Sequence, residues 1–278
     1  MKVGAISNSW EYQLEQGCSL AELVQQAGKR GARHIELRQH CLGNCEVGRN
    51  ETWRPQIAEF QQLVNATHDL DVTFNLAISL PCLHSTVDGT SDVFQLSLDS
   101  AVILNPSNPH LRIVDVIPFE REWSASNPVP PTIVLSLVEL VRAAIGKDVH
   151  LSLENSGLPL TCMQELICHV RGQLQPEEVK FIGLCIDPVN QRLLYPTRDP
   201  LTDLEAIPPD MIQMAHFKQC SQSNTLPTIC DGDVDICKYL RILAAKHYTG
   251  PMILEIPPSQ DYYKNFTSSI HFLSHCSK

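Results

Sequence analysis

Short runs in which apolar and polar residues alternate recur along the chain, and most are followed by a longer segment whose apolar residues return every three or four positions. The stretch from Val149 to Glu154 shows the first pattern clearly. Val149, Leu151 and Leu153 share one face, while His150, Ser152 and Glu154 share the other. The segment after Ser19 shows the second, with Leu20, Leu23, Val24 and Ala27 on one side of a helix.

Read in order, the alternation predicts strands over Lys2–Ser7, Arg33–Gln39, Val72–Ser79, Leu111–Ile117, Val149–Asn155, Phe181–Asp187, Ile212–Gln219 and Met252–Ile256. Helices are expected over residues 19–31, 55–68 and 93–104, in a stretch ending at Ile145 before Gly146, and over 163–171, 234–247 and 262–274. A proline-broken segment after the sixth strand supports only a weak helix at 203–206. Eight strand–helix units predict an α/β fold, a (β/α)8 TIM barrel forming one domain over residues 1–278, in preference to a doubly wound sheet.

Composition narrows the function classes. At 278 residues and 43% hydrophobic, the chain can bury a large core. Its formal net charge of -10, with no Lys/Arg cluster, argues against a nucleic-acid surface. No apolar run approaches the roughly 18 residues of a membrane span, and the start runs directly into a strand without a signal-peptide pattern, so the expected setting is cytoplasmic. The 11 cysteines are scattered and only Cys41 and Cys45 are close, which predicts reduced, mostly buried thiols rather than a disulfide framework. The sequons at Asn50, Asn65 and Asn265 carry no meaning without secretion.

Candidate chemistry follows from strand phase, because barrel strands face the lumen at alternate residues and keep active groups at their carboxyl ends. Glu154, Asp187, His216 and Glu255 occupy such positions on four successive strands. Three carboxylates and an imidazole converging on one mouth repel unless a positive charge lies among them. One divalent cation answers this, and the donor set suits Mn²⁺, Mg²⁺, Co²⁺ or Zn²⁺ alike. The competing readings are a salt-bridge cluster using Lys218 and Arg38, or a relic site. Glu36 and Arg38 share the inward parity of the second strand, where Arg38 can bind a substrate carboxylate or phosphate or pair with Glu36. Lys218, in phase with His216, can hold a substrate acid, neutralise an enediolate, or pair with a neighbouring carboxylate. Trp10, Phe119 and Trp123 are candidates for an apolar pocket wall. The tract Asp231-Gly232-Asp233-Val234-Asp235 reads as a turn and helix cap, since it lacks the remaining ligands of a calcium loop.

Several tracts carry a resemblance: the Glu of "LSLENSG", the Asp-x-x-Asn of "CIDPVN", "HFKQ", "DGDVD" before a helix, the Glu of "ILEIP", and "HIELRQ" at the second strand. In order and spacing they resemble the sugar phosphate isomerase/epimerase superfamily, the xylose isomerase-like TIM barrels, over nearly the whole chain. The resemblance implies that Glu154, Asp187, His216 and Glu255 ligate one metal ion, often manganese. It also implies that Glu154 and Glu255 act as a proton-transfer pair on either side of a carbon beside a carbonyl. Asn190 stands where the keto-sugar epimerases carry a His, and Gln222 where they carry an Arg. Asn190 can bind a substrate hydroxyl but cannot shuttle a proton near neutral pH.

The expected function is therefore a divalent-metal-dependent isomerase or epimerase of a small sugar, sugar acid or related polyol, working through an enediolate, with Glu36, Arg38, Asn190 and Lys218 as substrate-binding candidates. A lyase or dehydratase on the same scaffold is the alternative. An endonuclease-like hydrolase and a non-catalytic binding protein come behind it. The expected partner is a small carbohydrate-like molecule, with a homo-oligomer left open.

Overall fold

The computed structural model describes residues 2–117, 123 and 127–276. Eight parallel strands close into a barrel: β1 Lys2–Ile6, β2 His34–Arg38, β3 Thr73–Ser79, β4 His110–Val114, β5 His150–Glu154, β6 Ile182–Ile186, β7 Ile212–Phe217 and β8 Pro251–Leu254. Each pairs with its sequence neighbours, and β1 joins β8 through Lys2 to Pro251 and Ala5 to Leu254. Outside lie α1 Leu20–Lys29, α2 Ile57–Ala66, α3 Asp92–Leu104, α4 Pro131–Ile145, α5 Leu160–Arg171, α6 Pro188–Leu194, α7 Pro200–Ala206, α8 Ile236–Ala245 and α9 Tyr262–Cys276. This is the (β/α)8 TIM barrel that the alternation predicts, and no helix among the described residues is long and apolar enough to cross a membrane.

Local chemistry accounts for the helix starts. Ser19 accepts from the Glu22 amide while the Glu22 carboxylate accepts from the Ser19 amide, a reciprocal cap on α1. Asp187, Asp199 and Asp235 cap α6, α7 and α8 with side-chain oxygens. Pro188 and Pro200 occupy the first turns of α6 and α7, where the missing N–H costs nothing. The sequence reading treats these prolines as breakers and so misses α6 altogether.

Two further differences have physical causes. Strand β4 ends at Val114 rather than Ile117, because Asp115 turns its carboxylate onto the amides of Leu83 and Ile117. Cys237 and Cys276 form a disulfide across α8 and α9, with Cα atoms 4.8 Å apart, which corrects the expectation of reduced thiols for this pair. These cysteines are 39 residues apart in sequence, and only the packing of the two helices brings them together. Of the three wall candidates, Trp10 is buried edge-on against Tyr262, Trp123 is buried, and Phe119 lies outside the described residues.

The main apolar core fills the space between barrel and helices, while Ile6, Cys185, Met214 and Ile253 form a separate small cluster inside the barrel. The rest of the lumen is polar. At its amino-terminal floor His34 meets Thr73 Oγ1 at 2.8 Å and Asn75 Oδ1 at 2.7 Å, and His110 meets Ser152 Oγ at 2.8 Å. Asn75 then donates upward to Glu36 Oε2 at 3.0 Å. Buried polar groups are tolerated when they are bonded in this way.

Burial pushes His34 down to about 4 and His110 down to about 3. Both stay neutral in the fold at pH values where the unfolded chain, with ordinary imidazoles, takes up protons. Their stabilisation is therefore full above about pH 6.5 and is lost as pH falls toward 4 and then 3, with His34 alone contributing roughly 3 kcal/mol. Urea midpoints measured from pH 7 to pH 4 should fall steadily. A flat profile would mean that the floor imidazoles carry charge in the folded protein.

Candidate metal centre

Four strand ends deliver the candidate ligands. Glu154 closes β5, Asp187 follows β6, His216 lies in β7 and Glu255 follows β8. One donor atom from each lies within 4.8 Å of all the others. This is close to the roughly 4.4 Å that separates opposite ligands about an ion with bonds of about 2.2 Å. Glu154, Asp187 and His216 are buried and Glu255 is half-buried.

Each ligand is aimed by its surroundings. Asp187 spends Oδ1 on the helix cap, accepting from the amides of Val189 at 2.9 Å and Asn190 at 3.0 Å, which turns Oδ2 toward the mouth. Its backbone is clamped by Asn155, which accepts from the Asp187 amide at 2.6 Å and donates to its carbonyl at 2.8 Å. His216 presents Nδ1 to Glu255 Oε2 at 3.2 Å and to Glu154 Oε1 at 3.6 Å, and its Nε2 lies 3.2 Å from Glu36 Oε1. The Glu36 contact is an ion-pair approach without an aligned hydrogen bond, and it places a carboxylate behind the imidazole.

Two cations of the chain hold the carboxylates in place. Arg112, fully buried on β4, reaches Glu36 Oε1 through Nε at 2.9 Å and Nη2 at 2.8 Å, and its Nη1 pairs with Glu154 Oε2. Lys218 Nζ lies 2.8 Å from Asp187 Oδ2 and 3.0 Å from Glu255 Oε2. The Asp187 contact is an ion pair without an aligned hydrogen bond. Amides complete the shell: Asn190 Nδ2 donates to Glu154 Oε1 at 3.0 Å and Asn8 Nδ2 to Glu255 Oε1 at 2.9 Å.

Burial by itself would raise Glu36 and Glu255. Arg112 and His216 nevertheless hold Glu36 well below the usual carboxylate range, and Lys218 with His216 does the same for Glu255. Burial would likewise lower Arg112 and Lys218, yet their carboxylate partners hold both above their ordinary values. Burial lifts the Cys185 thiol, beside His216 in the lumen, to about 12, so it stays protonated.

The placement of the sequence candidates is mixed. Glu154, Asp187, His216 and Glu255 come together, with Lys218 between two of them. Asn190 spends its amide on Glu154, and Glu36 is enclosed one layer below with Arg112. Arg38 pairs with neither Glu36 nor any other described carboxylate; its Nη2 donates to Ser79 Oγ at 2.7 Å. Gln222 is exposed at the tip of a two-stranded hairpin. His84 meets Asp115 Oδ2 at 3.0 Å and does not belong to the four-residue cluster. Arg112, Asn8 and Asn155 escaped the sequence reading. For Arg112 a signal existed, since it is a charged residue with inward parity inside an apolar strand.

An oxygen-rich donor set with one imidazole nitrogen suits a divalent ion. Asp187 Oδ2 is also a buried oxygen with no hydrogen bond. The residues present therefore fit a metal.

No protein-family model matches the chain, and no curated protein matches its sequence. Solved structures do match it in fold. The IolI protein with a binding zinc atom has a TM-score of 0.69 at 13% identity, covering 100% of this chain and 96% of that one. D-allulose 3-epimerase from Methylomonas sp. in complex with D-allulose has a TM-score of 0.70 at 14% identity over 99% and 96%. A xylose isomerase domain protein from Planctomyces limnophilus has a TM-score of 0.68 at 16% identity over 100% and 96%.

Arg112 is the testable keystone of the site. Arg112→Met leaves Glu36 and Glu154 buried without their cation and should cost about 3–5 kcal/mol in urea denaturation at pH 7. Adding Glu36→Gln should restore part of the loss. Wild-type stability in the single variant would mean that the guanidinium neutralises neither acid.

Proposed function

We propose that this chain, which has the xylose isomerase-like TIM-barrel fold, is a divalent-metal-dependent isomerase or epimerase of a small carbohydrate-like substrate, acting at a carbon beside a carbonyl through an enediolate. The observation that carries the reading is the convergence of Glu154, Asp187, His216 and Glu255 within 4.8 Å. These four would hold one ion, with manganese favoured and zinc, magnesium and cobalt suited to the same donors. When bound, such an ion supplies positive charge that stabilises the developing enediolate and acidifies the neighbouring C–H.

Glu154 and Glu255 are the proposed proton-transfer pair, and their environments match. Each has one oxygen against a cation, Arg112 for Glu154 and Lys218 for Glu255. Each has the other oxygen held by an amide, from Asn190 and Asn8 respectively. Both carboxylates are thereby fixed in orientation. One takes the carbon-bound proton and the other returns one. Lys218 is an ammonium between Asp187 and Glu255, placed to offset negative charge arising on substrate oxygens. Asn190 acts on Glu154, and Glu36 on Arg112 and His216.

Metal analysis of wild type beside Glu154→Gln and His216→Ala should find about one divalent ion per wild-type chain and at least about tenfold weaker retention in each variant. Equal metal in all three proteins would overturn the site. Metal-loaded wild type should also exchange solvent deuterium into a ketose or keto acid, and Glu255→Gln should not. Bound metal without C–H exchange would remove the enediolate chemistry, and a conjugated product with release of water would reassign the protein as a lyase.

A further inference from the structure

Three cationic side chains reach the lumen mouth from the barrel strands and their ends, and two of them are fully matched. Arg112 lies against Glu36 and Glu154, and Lys218 against Asp187 and Glu255. The third, Arg38, ends β2 with the same inward parity as Glu36. Its backbone amide donates to Ser7 Oγ at 2.7 Å and its Nη2 to Ser79 Oγ at 2.7 Å, so the backbone and one edge of the guanidinium are held. Nη1 is buried and has no hydrogen-bond partner, and no described carboxylate lies within ion-pairing distance. Arg38 nevertheless feels the site directly: burial and then Arg112 disfavour its charge, while Glu154, Glu36 and Glu255 favour it.

A half-buried guanidinium lacking a counter-charge is costly to maintain for packing alone. The charge balance gives the same answer. One divalent ion together with Arg112 and Lys218 matches the carboxylates of Glu36, Glu154, Asp187 and Glu255, which leaves Arg38 as the surplus cation.

We propose that the substrate is an acid whose carboxylate is bound by Arg38 and Ser79, so that the reacting carbonyl lies toward Glu154 and Glu255. This narrows the substrate class and rests on the isomerase reading above. The shared chemistry is an oxyanion in the plane of the guanidinium fork. A carboxylate fits better than a phosphate, because one guanidinium and one hydroxyl supply a single positive charge, whereas a phosphate monoester brings about -1.5 to -2.

The test uses calorimetric binding to the full chain, with and without Mn²⁺, of three sugars that differ at one end: ketogluconate, fructose and fructose phosphate. Ketogluconate should bind most tightly, and Arg38→Met should weaken it at least about tenfold while leaving fructose unchanged. Arg38→Lys should fall between the two. Tighter binding of fructose phosphate would overturn the carboxylate in favour of phosphate. Equal binding of fructose and ketogluconate, or binding of none of the three to protein that retains metal, would overturn the acidic substrate class and leave the metal site standing. The ligand-independent arm is thermal stability. Arg38→Met should melt at or above the wild-type temperature, and a clear loss would show that Arg38 serves the fold. Absence of metal from wild type, with an Arg38-dependent preference for ketogluconate intact, would sink the isomerase reading but not the Arg38 assignment.

Discussion

The ion pairs that Arg112 makes with Glu36 and Glu154 are the interaction on which the mouth of this barrel depends. Barrel interiors are ordinarily filled by layers of branched apolar side chains. Here the Glu36 carboxylate, the Arg112 guanidinium, the Asn75 amide and the imidazoles of His34, His110 and His216 occupy much of that space beside a small apolar cluster. A buried carboxylate is tolerated only when opposite charge and hydrogen bonds replace the water it has lost. Arg112 does this for two acids at once, and Glu36 passes the constraint on to the Nε2 edge of His216. Glu154 and Glu36 therefore share one cation that belongs to none of the proposed proton transfers, with Asn190 and Asn75 completing their bonds.

The scaffold contributes the remaining precision through its connections. Asp187 is at once the cap of α6 and a candidate ligand, so one oxygen is spent on backbone amides and the other is left for a cation. Asn155 ties the end of β5 to the end of β6, which sets Glu154 and Asp187 relative to each other. The close approach of Gly232 to Gln219 belongs to the same framework. A Cβ there would meet Gln219 and the Cys220 carbonyl at 2.4 and 2.6 Å, so the tract before α8 can lie against the end of β7 only with glycine at that position.

Most of the barrel was legible because period-two strands and period-3.6 helices leave different marks on the sequence, and the four candidate ligands were legible because strand phase sorts lumen from exterior. What escaped depends on pairing across strands. That Arg112 meets Glu36 and Glu154, or that Arg38 meets Ser79 in place of Glu36, follows from barrel register, which a single sequence does not state. The helix α6 escaped because Asp187-Pro188 reads as a break until the Asp is seen capping its own helix. The Cys237–Cys276 bond escaped because thiol spacing in sequence says nothing of two helices meeting on the barrel's outer face.

The central claim is that Glu154, Asp187, His216 and Glu255 together bind one divalent ion. Anomalous diffraction at the manganese edge from crystals soaked in Mn²⁺ tests it most directly. The account predicts a single peak with those four residues as ligands at about 2.0–2.2 Å, and the Lys218 ammonium displaced from at least one of its two carboxylates. Its contradiction would be no peak at the mouth, with Lys218 still bridging Asp187 and Glu255.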